Sequence, residues 1–152
     1  MQKKQEYETV LLAVKGLVAD RQLPVSLYAN VSALLKQTLS DVSWVGFYLF
    51  NGTALYLGPF QGKVACVDIT LDRGVCGLAA RSKKTVIVPD VHKFPGHIAC
   101  DEGSNSEIVI PLIKNKQLIG VLDIDSYTFD RFDQVDQSYL EQFVQVIIPF
   151  LS

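Results

Sequence analysis

Cys100 sits in the stretch HIACDEGSNSEIVIPL, His97 to Leu112, directly before Asp101 and Glu102 and at the lip of a Gly/Ser/Asn loop. A cysteine that only packs is usually surrounded by apolar residues, so a thiol among carboxylates calls for a chemical reading. Two more cysteines precede it: Cys66, Cys76 and Cys100 are spaced ten and then twenty-four residues apart. In a reducing compartment three thiols are core filler, metal ligands or redox centres. A zinc site drawing on them and on His92 and His97 has little behind it. There is no C-x-x-C pair, and the spacings match no common zinc ribbon. His97 is read as a surface loop histidine, and Asp101 and Glu102 are given no role beyond facing water.

Strand alternation selects a second group. Trp44 and Tyr48, four residues apart, share one face of a strand in SWVGFY, and Trp44 is the sole tryptophan. Asp123 and Asp125 share one face of a later strand, expected together with Val121 and Ile119. Aspartate is a poor strand former, and a solvated edge strand is the plainer account of such a pair. The run LIGVLDIDS argues otherwise: it is apolar on both faces up to Asp123, as in a central strand whose end meets a site. Beside thiols and carboxylates, Trp44 then becomes a wall for a small apolar group.

The elements that must hold these residues follow from hydrophobic period. Tyr7, Val10, Leu11, Val14, Leu17 and Val18 recur at helical spacing, and a second helix starts at Pro24, where a missing N–H costs nothing. From Asp41 the period changes to that of a strand, which stops at Asn51-Gly52, a hairpin turn signal. TALYLGPF is the returning strand and VACVDITL a weaker one. GVCGLAARSKK begins a short helix and TVIVPDV is a short strand, after which Val91 to Ser106 reads as a long loop. EIVIPLIKNKQLIGVLDIDS gives two strands joined at Asn115-Lys116. Phe132, Val135, Tyr139, Phe143, Val146, Ile147 and Phe150 mark a closing amphipathic helix. Helices at both ends of a run of hairpins predict an α+β fold, a central antiparallel sheet with the N- and C-terminal helices on one face. The opposite face, under its loops, is left for a ligand.

Composition narrows the partners. The 152 residues suffice for one cored domain. A net charge of -2 with no basic stripe excludes a nucleic-acid surface. No apolar run approaches a bilayer span and no secretory core opens the chain, so a cytoplasmic location without a membrane partner is expected.

The cysteines, Glu107, the DID of Asp123 and Asp125, SWVGFY, GVCG and VPDVHKFPGHIACD together resemble the free methionine-R-sulfoxide reductases, enzymes built on a GAF domain. The resemblance covers nearly the whole chain and implies a single GAF domain over residues 1–152. It implies reduction of free L-methionine (R)-S-oxide, with Cys100 as the thiolate that attacks sulfur. An acid among Glu107, Asp123 and Asp125 would protonate the oxygen, since crowding and burial keep one of them protonated. By the same resemblance Cys66 resolves the Cys100 sulfenic acid as a disulfide, Cys76 is a second resolving thiol or relay, and thioredoxin closes the cycle with no cofactor or metal. Trp44 and Tyr48 would box the methyl group, and Glu107, Asp123 or Asp125 would hold the ammonium. A homodimer is compatible with a GAF domain. The alternative is a GAF sensor that binds a small ligand such as a cyclic nucleotide. Asn115-Lys116, Phe132 and Asp136 fit the general GAF pattern, but nucleotide-binding members usually follow that aspartate with glutamate, and here Gln137 stands instead.

Overall fold

The helical period at the N-terminus becomes α1, Lys3–Ala19, and Pro24 stands at the first position of α2, Pro24–Thr38, in the computed structural model, which describes residues 2–96 and 103–152. Three strands follow: β1 Trp44–Phe50, β2 Ala54–Gln61 and β3 Asp68–Thr70. Then come α3 Gly74–Ser82, β4 Val86–Val88, β5 Ser106–Lys114, β6 Gln117–Ser126 and α4 Gln134–Ile147. The weak strand expected over VACVDITL is only three residues long. Within the expected loop, Val91–Lys93 forms a 3-10 turn, while His97, Cys100, Asp101 and Glu102 lie outside the described residues.

Both hairpin turns have a local cause. Asn51 accepts hydrogen bonds at its side-chain oxygen from the N–H groups of Thr53 and Ala54, both at 2.9 Å, and Gly52 takes φ +101°. At the second turn Asn115 and Lys116 both have positive φ, 51° and 67°, as a two-residue turn of the primed type requires.

The six strands run in the order β3-β2-β1-β6-β5-β4, every neighbour antiparallel. On one face Phe47, Ile108, Ile110, Leu112, Leu122 and Ile124 meet α1, α2 and α4 in the main core. The terminal helices therefore gather on one face, as the period predicts. The other face is not left to loops alone. There Val75, Cys76, Ala79 and Ala80 of α3 pack onto Tyr48, Val109 and Val121.

One facing expectation fails. Strict alternation puts Ile119 with Val121, Asp123 and Asp125, yet it packs against the helix-side core. Between the pairs Leu112↔Gly120 and Ile113↔Leu118, β5 advances one residue while β6 advances two. The extra residue is a β-bulge, which resets alternation and turns Ile119 over.

Asp136, in the first turn of α4, is fully buried and ties the helical layer together. It accepts hydrogen bonds from Tyr7 Oη at 2.6 Å, Lys3 Nζ at 2.7 Å, Arg131 Nη1 at 3.0 Å and the Asp133 N–H at 2.9 Å. Among the described residues no helix is long and apolar enough to cross a membrane. Removing a charge that so many donors enclose strands the largely buried Arg131 and the Tyr7 hydroxyl. Asp136→Ala should therefore lower the unfolding free energy by roughly 3 kcal/mol, read from urea denaturation.

Candidate active site

Pairing across three strands sets the site in rows. Trp44 on β1 stands opposite Asp125 on β6, which stands opposite Glu107 on β5. One step along the same face, Gly46 is opposite Asp123, and Asp123 is opposite Val109. β6 is thus the interior strand its apolar approach predicts, and both of its aspartates are buried with Glu107. From above, α3 lowers Cys76 onto this surface. Cys76 Sγ and carboxylate oxygens of Glu107 and Asp123 all lie within 4.8 Å of one another.

Three acids in so small a buried space cannot all ionise. Glu107 is hydrogen-bonded to both Asp123 and Asp125, and two carboxyl groups share such a bond only when one carries a proton. Burial first, and then the charges of Asp123 and Asp125, push the Glu107 pKa well above the ordinary carboxylate range. The same causes act on Cys76: burial, then Asp123, Glu107 and Asp125, raise its thiol, which is also hydrogen-bonded to Asp123. These three atoms are close enough to hold a metal ion, and Cys76 and Glu107 would have to give up their protons to do so. The arrangement is that of a proton store.

Beside the acids stands an aromatic wall. The Trp44 indole stacks on Phe60 at 5.2 Å and on Tyr48 at 6.1 Å. Trp44 Nε1 donates to the carbonyl of Lys63 at 3.0 Å, and Tyr48 Oη donates to the carbonyl of Cys66, also at 3.0 Å. Burial, followed by Asp123, raises the Tyr48 pKa beyond the ordinary phenol range, so it remains a donor. Phe60 was not foreseen, nor were two glycines under the indole. A Cβ at Gly46 would stand 2.6 Å from the ring and closer still to Phe60 Cβ, and Gly62, at φ +141°, lies against the other edge of the ring. A glycine inside a strand, as at Gly46, is the signal that marks such a close approach.

The thiols divide. Cys76 is free and buried, whereas Cys66, half-buried between β2 and β3, is disulfide-bonded. Cys100 lies outside the described residues. His92 stays out of the cluster: it is exposed, and its Nε2 lies 2.9 Å from the Asn105 side-chain oxygen. Position 103 and the loop that carries Cys66 both reach Tyr127. A Cβ at Gly103 would meet the Tyr127 ring at 2.7 Å, and Lys63 Nζ lies over that same ring, 5.6 Å from its centroid.

A family model for the GAF domain matches residues 26–148. The free methionine-R-sulfoxide reductase of Escherichia coli is 49% identical over 152 residues, covering 100% of this chain and 92% of that protein. The protein of the same name from Saccharomyces cerevisiae is 44% identical over 155 residues, covering 97% and 86%. The X-ray structure of free methionine-R-sulfoxide reductase from Neisseria meningitidis, in complex with its substrate, matches with a TM-score of 0.95 at 41% identity, covering 99% of this chain and 90% of that one. Fold and matched residues define a GAF domain, and within that class the chain belongs to the free methionine-R-sulfoxide reductase family.

Two outcomes test this geometry. Gly46→Ala should overpack the strand beneath the indole and cost about 1–3 kcal/mol of stability, followed through the fluorescence of the sole tryptophan. Glu107→Gln should raise the melting temperature at neutral pH. A carboxyl whose folded pKa is raised contributes stability below its unfolded pKa and loses it as pH rises through the folded value. The wild type should therefore fall behind the Gln variant increasingly from the ordinary carboxylate range upward, and the two should converge in acid.

Proposed function

We propose that the protein reduces free L-methionine (R)-S-oxide to L-methionine. The observation that carries this reading is the buried Glu107 beside Asp123 and Asp125, its carboxyl pushed well above the ordinary range, in line with the Trp44 wall, in a chain of this family. Reduction of a sulfoxide needs a nucleophile at sulfur and a proton for oxygen. A buried carboxylic acid that keeps its proton near neutral pH supplies the second.

In this reading the Cys100 thiolate attacks sulfur while the Glu107–Asp123–Asp125 group protonates the oxygen. The hydroxyl then passes from the substrate sulfur to the Cys100 sulfur as the new S–S bond breaks, so methionine leaves and Cys100 is a sulfenic acid. Cys66 then attacks the Cys100 sulfur, water departs, and a disulfide forms. Two observations favour Cys66 for this step: it is disulfide-bonded, and Cys76 is free. A third is that Lys63 and Gly103, each three residues from one of the pair, meet at Tyr127. Cys76 serves as a second resolving thiol, slower because it holds its proton. Thioredoxin in a reducing cytoplasm gives up two thiols and returns both cysteines. Trp44 and Tyr48 box the methyl group, and the carboxylates left ionised hold the substrate ammonium. We read residues 1–152 as one domain, since α1, which precedes the matched stretch, shares the core of α2 and α4.

With dithiothreitol as reductant, the protein should form methionine from the free R-epimer, and Cys100→Ser should form none. Cys66→Ser should release about one methionine per Cys100 and then turn over poorly with thioredoxin. Binding of a cyclic nucleotide with no methionine formed would favour a sensor instead.

A further inference from the structure

The loop between β2 and β3 is anchored from within and apolar on its outside. Its carbonyls at Lys63 and Cys66 accept hydrogen bonds from Trp44 and Tyr48. The two valines that bracket Cys66 are turned to water, Val64 at 87% exposure and Val67 at 70%. Val67 is not loosely placed, since its carbonyl accepts a hydrogen bond from the Leu57 N–H at 2.9 Å. Two such exposed β-branched side chains beside an oxidised cysteine have no internal packing role. Burying them against a partner removes apolar surface from water. The loop's two ends carry opposite charges, Lys63 exposed over Tyr127 and Asp68 exposed beside Val67.

We propose that this loop is where a dithiol reductant protein docks, with Val64 and Val67 as its contacts and Cys66 Sγ as the sulfur it attacks. The inference rests on the resolving disulfide between Cys66 and Cys100 described above. The chemistry sets the occupant: only a thiol opens a disulfide by exchange, and a protein with a second thiol completes the step. A partner whose nucleophilic cysteine is ringed by apolar groups complements the two exposed valines. The partner's thiolate bonds to Cys66 Sγ, the bond to Cys100 breaks, and Cys100 leaves with the electron pair. The partner's second thiol then bonds to its own first sulfur and frees Cys66. Two electrons and one proton have passed to the protein, the proton moving from the partner's second thiol to Cys66, and the partner departs as a disulfide. Attack at Cys66 returns Cys100 directly as a thiolate, the form the next substrate needs.

Val64→Asp and Val67→Asp should each raise the KM for thioredoxin roughly tenfold, with the dithiothreitol-driven rate unchanged. Leu12→Asp, at an equally exposed apolar position on α1 across the sheet, should leave both values as they are. A thioredoxin whose second cysteine is serine should be trapped on Cys66, located by peptide mass spectrometry. Thioredoxin KM values within about twofold of wild type in both valine variants would overturn the docking surface. A trapped adduct on Cys100 or Cys76 would overturn the point of attack. Should wild type form no methionine even with dithiothreitol, the reductase reading falls and this one with it; normal dithiothreitol turnover with unaffected thioredoxin kinetics removes this one alone.

Discussion

Everything in the site depends on burying three carboxyl groups side by side. An ionised carboxylate taken out of water costs several kcal/mol even after relaxation, so the cluster exists only where surrounding structure forces it. Pairing on both edges of β6 does so. Asp125 is clamped between Trp44 and Glu107, and Asp123 between Gly46 and Val109, with ladder hydrogen bonds on each side. The stability that opposes this cost lies on the other face, where three helices bury the larger core. That division of labour explains why the terminal helices carry no member of the site and yet are needed for it.

The aromatic wall does two jobs through two ends of the same side chains. The ring faces of Trp44 and Tyr48 lie beside the acids, while their polar ends grip the backbone on either side of Val64 and Ala65. A change in how the rings sit is therefore felt at the carbonyls of Lys63 and Cys66. Conversely, movement of the cysteine loop must break or carry two hydrogen bonds, each worth about 1 kcal/mol net. The aromatic wall and the loop that carries Cys66 form one mechanical unit. Gly46 makes that unit possible, because the indole can lie flat enough to reach Lys63 only where the strand beneath has no side chain.

Local signals carried much of this into the sequence. The change of period at Asp41, the turns at Asn51-Gly52 and Asn115-Lys116, and the apolar run leading into Asp123 each depend on neighbours in the chain, so they were legible. Ile119 was not, because a bulge depends on how β5 and β6 register against each other, and strict alternation has no place for an extra residue. Phe60 and Gly62 were missed for a related reason. Their importance comes from the indole lying across them, a contact made by pairing β1 with β2. The proximity of Cys76 to Glu107 and Asp123 is tertiary as well, created by α3 docking on the sheet; only the family resemblance put these residues in one site.

The acids and the thiols make opposed demands on one electrostatic field. The buried surroundings that push Glu107 above its ordinary range act on a neighbouring thiol too: burial, then Asp123 and Glu107, raise the Cys76 pKa. A thiol in that position is a hydrogen-bond donor more than a nucleophile. Cys66 stands apart: it is half-exposed on the loop at the polar end of the aromatic wall, its carbonyl accepts the Tyr48 hydroxyl, and it is disulfide-bonded. The fold thus sorts the two described cysteines, one packed by α3 against the acids as a buried thiol and the other set at the far reach of Tyr48 in a disulfide.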